Sequence, residues 1–535
     1  MTDASSPVSV TYQGGGKQQT IPAELLIIAC DPRALVGITG TKVMEPSPKE
    51  AAIFGAFTEY VFQTTLVTVK VPSNPPQHGA ILDPYTVSQM AGDVSAFRNE
   101  TAKQYSLAAA NTLEENHLVV YQEWSDDSPK PRPDKATLLS TLKDQLNDPV
   151  KLPWWPYGTD WTIGDEDTDV LHSSYFHHFR GSDVEGGLPW HLLDLQGANN
   201  TAYTWAGTCF ESALQCWQYQ EHVLFSKDNL HAIQLPKDPK APIVIVGAGV
   251  SGVLMADRLT RLMGRTNVTL LEKTGLVGGK THSIVRQGPR PQGNPEPTIC
   301  ELGTCYMSPA YDEFHKFLKP FWSSDPPHGE NFRRAFPPNP PGEFRGMVTT
   351  GTMSWKNPKD PNNPVIDYTD YIVLRYQQIV GDPPDPSKRD EVLALIAGYL
   401  GDYWERGTEL IGQHLPMPLK RLGAKKMTIL AGTYQDWIDS SGEILPAMSG
   451  LTGVLEYAYS NQGYGPLKKI PAYYGLVWVS PLLAQRLVTE AFTSHGGVTT
   501  WSKGWGDIWT RMAKPLKILT NVEITSIKRN LTSEE

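Results

Sequence analysis

The stretch that most constrains this chain runs from Ile243 to Glu272. Ile243 to Val246 is a short apolar run that reads as a buried parallel strand. It leads straight into Gly247-Ala-Gly249-Val-Ser-Gly252. Apolar positions then recur at helical spacing (Val250, Val253, Leu254, Leu262, Met263), and Gly264 can end the helix. A second apolar run, Val268 to Leu271, ends at Glu272, 20 residues past Gly252. Each part suits the holding of a dinucleotide. Gly247 permits a tight turn, Gly249 lets the backbone approach a pyrophosphate, and Gly252 lets helix and strand pack closely. Free N–H groups of the first helical turn face the phosphates. A carboxylate after the second strand accepts hydrogen bonds from ribose hydroxyls. The glycines alone are a weak signal; the ordered set predicts an α/β dinucleotide fold.

Composition removes other classes. At 535 residues the chain is long enough for several domains of roughly 100–200 residues each. With 40% apolar and 19% charged residues, wholesale disorder is excluded. The net charge of −10, without any Lys/Arg run, lacks the basic footprint of a nucleic-acid binder. Five cysteines with no CxxC pair argue against a disulfide framework or a zinc site, and fit a reducing compartment. The N-terminus lacks a basic and an apolar region, so it does not read as a secretory signal. No run approaches the ~18 apolar residues of a membrane span. A cytoplasmic protein is expected. His177 and His178, adjacent on a strand, face opposite sides, and no metal is expected. The aromatic group Trp154, Trp155, Tyr157, Trp161, Tyr175, Phe176, Phe179 and Trp190 reads either as packing or as a substrate-pocket wall.

Beyond Glu272, the string EKTGLVGGKTHSI resembles the second glycine pair of the flavin-containing amine oxidase superfamily, E-x(5)-GG-[RK]. Gly278, Gly279 and Lys280 fall on those places. Glu301-Leu302-Gly303 resembles the family's E-x-G element beside the flavin. The segment from Asn200 to Gln215 resembles its aromatic-Ala-Gly turn, with Gly207 as the turn glycine and Ser212 opening the next helix. Thr208 stands where many members carry an acid. The resemblance implies FAD as the cofactor. His282 reads as a hydrogen-bonded structural histidine, and Cys209 as a small buried hydrophobe rather than a covalent flavin link.

In that superfamily the dinucleotide motif comes near the N-terminus and the aromatic-Ala-Gly turn near the C-terminus; here that order is reversed. The C-terminal LKILTNVEITSIKRN alternates at Val522, Ile524 and Ile527, and resembles the family strand beneath the adenine. The N-terminal VSVTYQ continues the pattern, and Ile21 to Pro32 resembles the strand returning to the FAD domain. The chain therefore reads as a circular permutation, 240–535 followed by 2–236. The expected fold is α/β: an FAD-binding Rossmann-type domain, a mixed-sheet substrate domain and a helical subdomain in permuted order. FAD-binding segments are expected at 1–35, 196–239, 240–305 and 498–535. The sheet part of the substrate domain is expected at 36–195, and the substrate and helical part at 306–497. The proline-rich stretch 323–364 is expected to be mostly irregular loop.

Several strings resemble one branch of the superfamily, the bacterial polyunsaturated fatty acid double-bond isomerases: ELGTCYMSPAYDEFHKFL, NFRRAFPPNPPGEF and GYGPLKKIPAYYGLVWV. This implies that flavin N5 carries a hydride between two carbons of one polyene, with no obligatory side-chain base. It also implies Arg334 as the partner of a substrate carboxylate and Phe492 as a pocket aromatic. An FAD-dependent amine or amino-acid oxidase or dehydrogenase is the alternative, as is a flavoprotein without catalysis. A small apolar substrate is the expected partner.

Overall fold

The computed structural model describes residues 7–76, 79–82, 89–105, 107–226, 229–288, 297–304, 311–322, 332–334, 351–354, 365–367, 377, 386–412, 420–440, 455, 462–480, 499–501 and 503–531. At its centre is a five-stranded parallel sheet. Its strand order is Thr201–Tyr203, Leu25–Ile28, Ile243–Val246, Val268–Leu271, Ile518–Leu519. Every residue of the three central strands is buried. Covered on both faces, such strands read as continuous apolar runs rather than as alternation. The helix Val250–Asp257 follows Gly249 and continues as a π turn, Arg258–Leu262. Gly264, at φ +67°, closes it.

A second sheet has three antiparallel strands, Lys17–Ala23, Val8–Gly14 and Glu523–Arg529. Val8, Val10 and Tyr12 alternate inward. Val8 lies opposite Arg529, so the first and last described strands are neighbours.

The largest sheet is mixed. Thr58–Lys70, at its middle, pairs antiparallel with Glu115–Trp124, Trp161–Thr162 and Val170–His178. Ala91–Asn99 and Ala80–Leu82 extend it, and Gly351–Ser354 joins in parallel. Phe332–Arg334 also forms a strand, paired with Thr499–Trp501. Two strands thus lie inside the stretch expected to be loop. The physical reason is local: the prolines at 326–327, 337–341 and 358–364 all fall outside both. One face of the large sheet, with Tyr60, Phe62, Leu66, Val119 and Tyr121, joins the main core around the parallel sheet. The other face, with Val67, Leu118, Val120 and Phe97, packs on Leu142 and Leu146 of the helix Lys135–Leu146.

This two-sidedness divides the aromatic group. Trp154 and Tyr157 belong to the far-side cluster, and they and Trp155 pack around Phe97. Tyr175, Phe176, Phe179 and Trp190 lie on the core side. Helices Arg389–Ile411, Ala424–Ala431, Tyr434–Asp439 and Ala472–Trp478 make the helical part. Among the described residues, no helix is long and apolar enough to cross a membrane. The architecture is the expected α/β class with a Rossmann-like parallel sheet.

Candidate functional site

The strand Ile243–Val246 ends in a loop that only glycine can make. Gly247 has φ +100°, and a Cβ there would meet Ala29 and Cys30 at 3.0–3.2 Å. A Cβ on Gly252 would lie 1.9 Å from the Gly247 carbonyl oxygen, so helix and loop touch backbone to backbone. Gly249 differs: its φ is ordinary, and a Cβ would find only the Gly279 Cα, at 4.0 Å. Glycine at 249 keeps a space open, whereas at 247 and 252 it satisfies the fold.

The second glycine turn closes on the first. Gly278 and Gly279 both have positive φ, and Gly278 N–H donates to the Ala248 carbonyl at 2.8 Å. Glu272 spans the entrance. One carboxylate oxygen accepts from Ala248 N–H and the other from Thr274 N–H, each at 2.8 Å. Val522 N–H donates to the Glu272 carbonyl at 3.0 Å, which brings the C-terminal strand to the same edge. A Cβ on Gly303 would lie 1.7 Å from the Lys280 carbonyl oxygen, so the E-x-G element presses on the second turn. Leu302 O accepts from Thr64 Oγ1 at 2.6 Å, which ties the element to the large sheet.

Gly207 lies under Trp205, whose ring would be 2.4 Å from a Cβ. Ser212 Oγ reaches Tyr311 Oη at 3.3 Å. Lys280 Nζ ion-pairs with buried Glu211 at 2.7 Å and lies 5.0 Å above the Tyr175 ring. Arg334 occupies a strand position opposite Thr499; its side chain, and all of Phe492, lie outside the described residues. His282 Nε2 contacts the Thr168 carbonyl at 3.2 Å, and burial lowers its pKa.

A buried charge cluster beside the loop was not legible in the sequence. Asp31 follows the central strand Leu25–Ile28, Glu59 is on the large sheet, and His177 ends the strand Val170–His178. His177 Nδ1 meets Glu211 Oε1 at 3.0 Å, while Nε2 lies 3.3 Å from Glu59 and 3.4 Å from Asp31. Burial opposes the charged imidazole, but Asp31, Glu211 and Glu59 outweigh it and push its pKa up to about 9. Burial likewise opposes ionisation of Glu211, yet Lys280 and His177 hold it down at about 2. Asp31 and Glu59 are held well below the usual carboxylate range by the same kind of balance.

Asp31, Glu59 and His177 offer three ligand atoms within 4.8 Å of one another, a grouping that could hold a metal. Two guanidiniums argue otherwise. Arg33 pairs with both Asp31 and Glu59, and Arg132 pairs with Glu59. A metal ion there would face cations on the same oxygens, while a protonated imidazole already supplies the charge. His178 points elsewhere, to Thr58 and the Phe176 carbonyl, and burial lowers its pKa to about 4. No motif links these residues, because they come from four separate segments.

A family model described as an NAD(P)-binding Rossmann-like domain matches residues 245–321. No curated protein matches the chain. Among solved structures it is similar to a putrescine oxidase triple mutant redesigned in cofactor binding. That match has 17% identity over 52% of this chain and 50% of the other, with a TM-score of 0.33. It is also similar to wild-type putrescine oxidase bound to putrescine, at 17% identity, the same coverage and a TM-score of 0.32. A CLA-producing fatty acid isomerase from P. acnes is similar at 17% identity, over 54% and 52% of the two chains, with a TM-score of 0.28. The chain spans about half the length of these structures.

Proposed function

We propose that this chain is an FAD-dependent enzyme that moves double bonds in a polyunsaturated fatty acid or a related polyene. The observation that carries FAD is the pairing of the two glycine turns. They flank one space, which a Cβ at Gly249 would enter. FAD fits these residues. Gly247, Gly249 and Gly252 would shape the pyrophosphate turn, Glu272 would take the ribose hydroxyls, and Val522 would help to hold the adenine. Gly278, Gly279, Gly303 and Gly207 would serve the flavin indirectly, by letting the turns around it close on neighbouring protein atoms that a Cβ would crowd. Lys280 and Ser212 act through Glu211 and Tyr311, which hold the surrounding turns.

Bound FAD supplies a hydride acceptor that can give the hydride back to a different carbon. The chain itself must orient an apolar substrate, exclude water and tolerate developing positive charge. Aromatic side chains suit the last of these, and Tyr175, Tyr464 and Phe210 form one packed group, with centroids 5.6 and 4.9 Å apart and Lys280 already over the Tyr175 ring. The same faces suit an alkylammonium, so oxidation of an amine or amino acid is the second reading. Mixing the flavin-loaded chain in aerated buffer with linoleic acid, and separately with amines, tests the choice. An isomeric product without oxygen uptake supports the first reading; stoichiometric peroxide with an amine supports the second. Arg334 is proposed to meet the substrate carboxylate, as a planar fork suits it, and Phe492 to line the pocket. Arg334→Leu should raise the Km for the free acid several-fold and leave the methyl ester unchanged. Equal losses would assign Arg334 a structural role.

The chain order is part of the same proposal: a circular permutation, 240–535 followed by 2–236. The pairing of Val8–Gly14 with Glu523–Arg529 supports it, because it sets the first and last described strands side by side.

A further inference from the structure

Two cysteines meet where two short helices join. Cys209 ends the helix Ala206–Cys209, and Cys216 lies in the helix Ala213–Tyr219. Their sulfurs are 3.3 Å apart, and both residues are buried. The turn between them is strained. Phe210 has φ +85° and ψ 161°, a region essentially reserved for glycine. Such strain persists only where the surroundings impose it, and it gathers at functional positions. The same turn carries Glu211, the partner of His177 and Lys280. A pocket lined by Phe179, Leu192, Gly207, Phe210 and Tyr473 reaches Cys209, which gives a small reagent a route to the pair.

We propose that Cys209 and Cys216 are a redox pair that closes to an intramolecular disulfide under a hydroperoxide oxidant. Cys209 lines that pocket and meets the peroxide first. Its sulfur takes the terminal peroxide oxygen as the O–O bond breaks, and the other oxygen leaves with the thiol proton as an alcohol or water. The resulting sulfenic acid is then attacked by the Cys216 sulfur. The S–S bond forms, and the hydroxyl departs with the Cys216 proton as water. Two thiols and one hydroperoxide give one disulfide, one alcohol or water, and one further water. Closure from 3.3 Å to a bond of about 2.05 Å requires each sulfur to move by about 0.6 Å. The bond would fix the turn that positions Glu211.

The test uses the full chain, fully reduced and then treated with hydrogen peroxide while folded. Quenching, alkylation in denaturant and peptide mass spectrometry follow. The expected result is loss of two of the five alkylatable thiols, recovered as a Cys209–Cys216 linked peptide. In Cys216→Ser the link disappears, and dimedone traps a sulfenic acid at Cys209. Full alkylation of both residues after treatment of the folded wild type would overturn the proposal. So would recovery of either residue only as a sulfinic acid, or linked only to another cysteine. These wild-type readings stand even where a serine variant does not fold.

Discussion

The glycine cradle and the charge cluster lie side by side at the carboxyl end of one sheet, but they are built differently. The cradle is backbone: Gly247, Gly249, Gly252, Gly278 and Gly279 act by having no side chain. The cluster is side chain: Asp31, Glu59, His177 and Glu211 act by charge, and come from positions up to 180 residues apart in the chain. A backbone device needs local order and leaves a motif. A side-chain device needs only convergence in space and leaves none. The cradle should fail by losing its ligand or its turn, and the cluster by losing stability.

The sharpest break comes within the cradle. Gly252→Ala places a methyl 1.9 Å from the Gly247 carbonyl oxygen, against backbone that cannot yield. Its cost should exceed the ~1–3 kcal/mol of ordinary overpacking, and the chain should express poorly or melt early. In Gly249→Val the added Cβ meets no protein atom closer than 4.0 Å. It should melt close to wild type yet bind FAD at least about 100-fold more weakly, a loss of roughly 3 kcal/mol. Equal melting losses for both variants would erase the distinction between fold glycine and ligand glycine.

The cluster should break through stability. Glu59→Gln leaves buried Arg33 without one of its two carboxylates. Removing one partner of a buried pair costs about 3–5 kcal/mol, readable as a lowered urea midpoint. FAD affinity should change little, because Glu59 is not part of the cradle. A variant with wild-type stability would show that Asp31 alone satisfies Arg33.

The pH profile sharpens the same point. His177 has a folded pKa of about 9, above its unfolded value of 6.5. Its contribution is therefore complete below about pH 6.5 and is lost as pH rises through 9, up to about 3 kcal/mol. Glu301 is raised to about 7 from 4.5, chiefly by burial. It acts in the same direction over a lower window, pH 4.5 to 7. Wild-type unfolding free energy should fall between pH 6.5 and 9; below pH 6.5 the buried His117 and His178, each lowered to about 4, oppose Glu301 because they must be deprotonated in the folded state. His177→Gln should remove the slope between pH 6.5 and 9 and leave the profile below pH 6.5 unchanged. An unchanged upper slope would mean that His177 is not the titrating group.

Legibility follows the same division. Ile243–Val246 and Val268–Leu271 are strands with the ends read from the sequence, because buried parallel strands are uninterrupted apolar runs. Glycine spacing locates both turns, since every glycine there except Gly249 answers a local steric demand. The strands Phe332–Arg334 and Gly351–Ser354 are not legible, because the high proline density of the whole stretch hides two short pieces that contain none. In the sequence His177 stands out only beside its neighbour His178, but its partners are Asp31, Glu59 and Glu211, which only the fold brings near. The aromatic group that reads as one cluster is two, on opposite faces of a sheet.

The smallest effect is expected from chain order. A chain reordered as 240–535 followed by 2–236 should keep the strand pairings and move only a connection, since its first and last described strands are already neighbours. It should melt and bind FAD like the original. Insolubility of the reordered chain would contradict the permutation and leave the cradle untouched.

The central claim is that the paired glycine turns hold FAD. The direct measurement is titration of the purified chain with FAD and, separately, with NADH and NADPH, following ligand fluorescence. The account predicts saturable, stoichiometric binding of FAD that Gly249→Val removes, and far weaker binding of either nicotinamide cofactor. Tight binding of NADH or NADPH with no binding of FAD would contradict it.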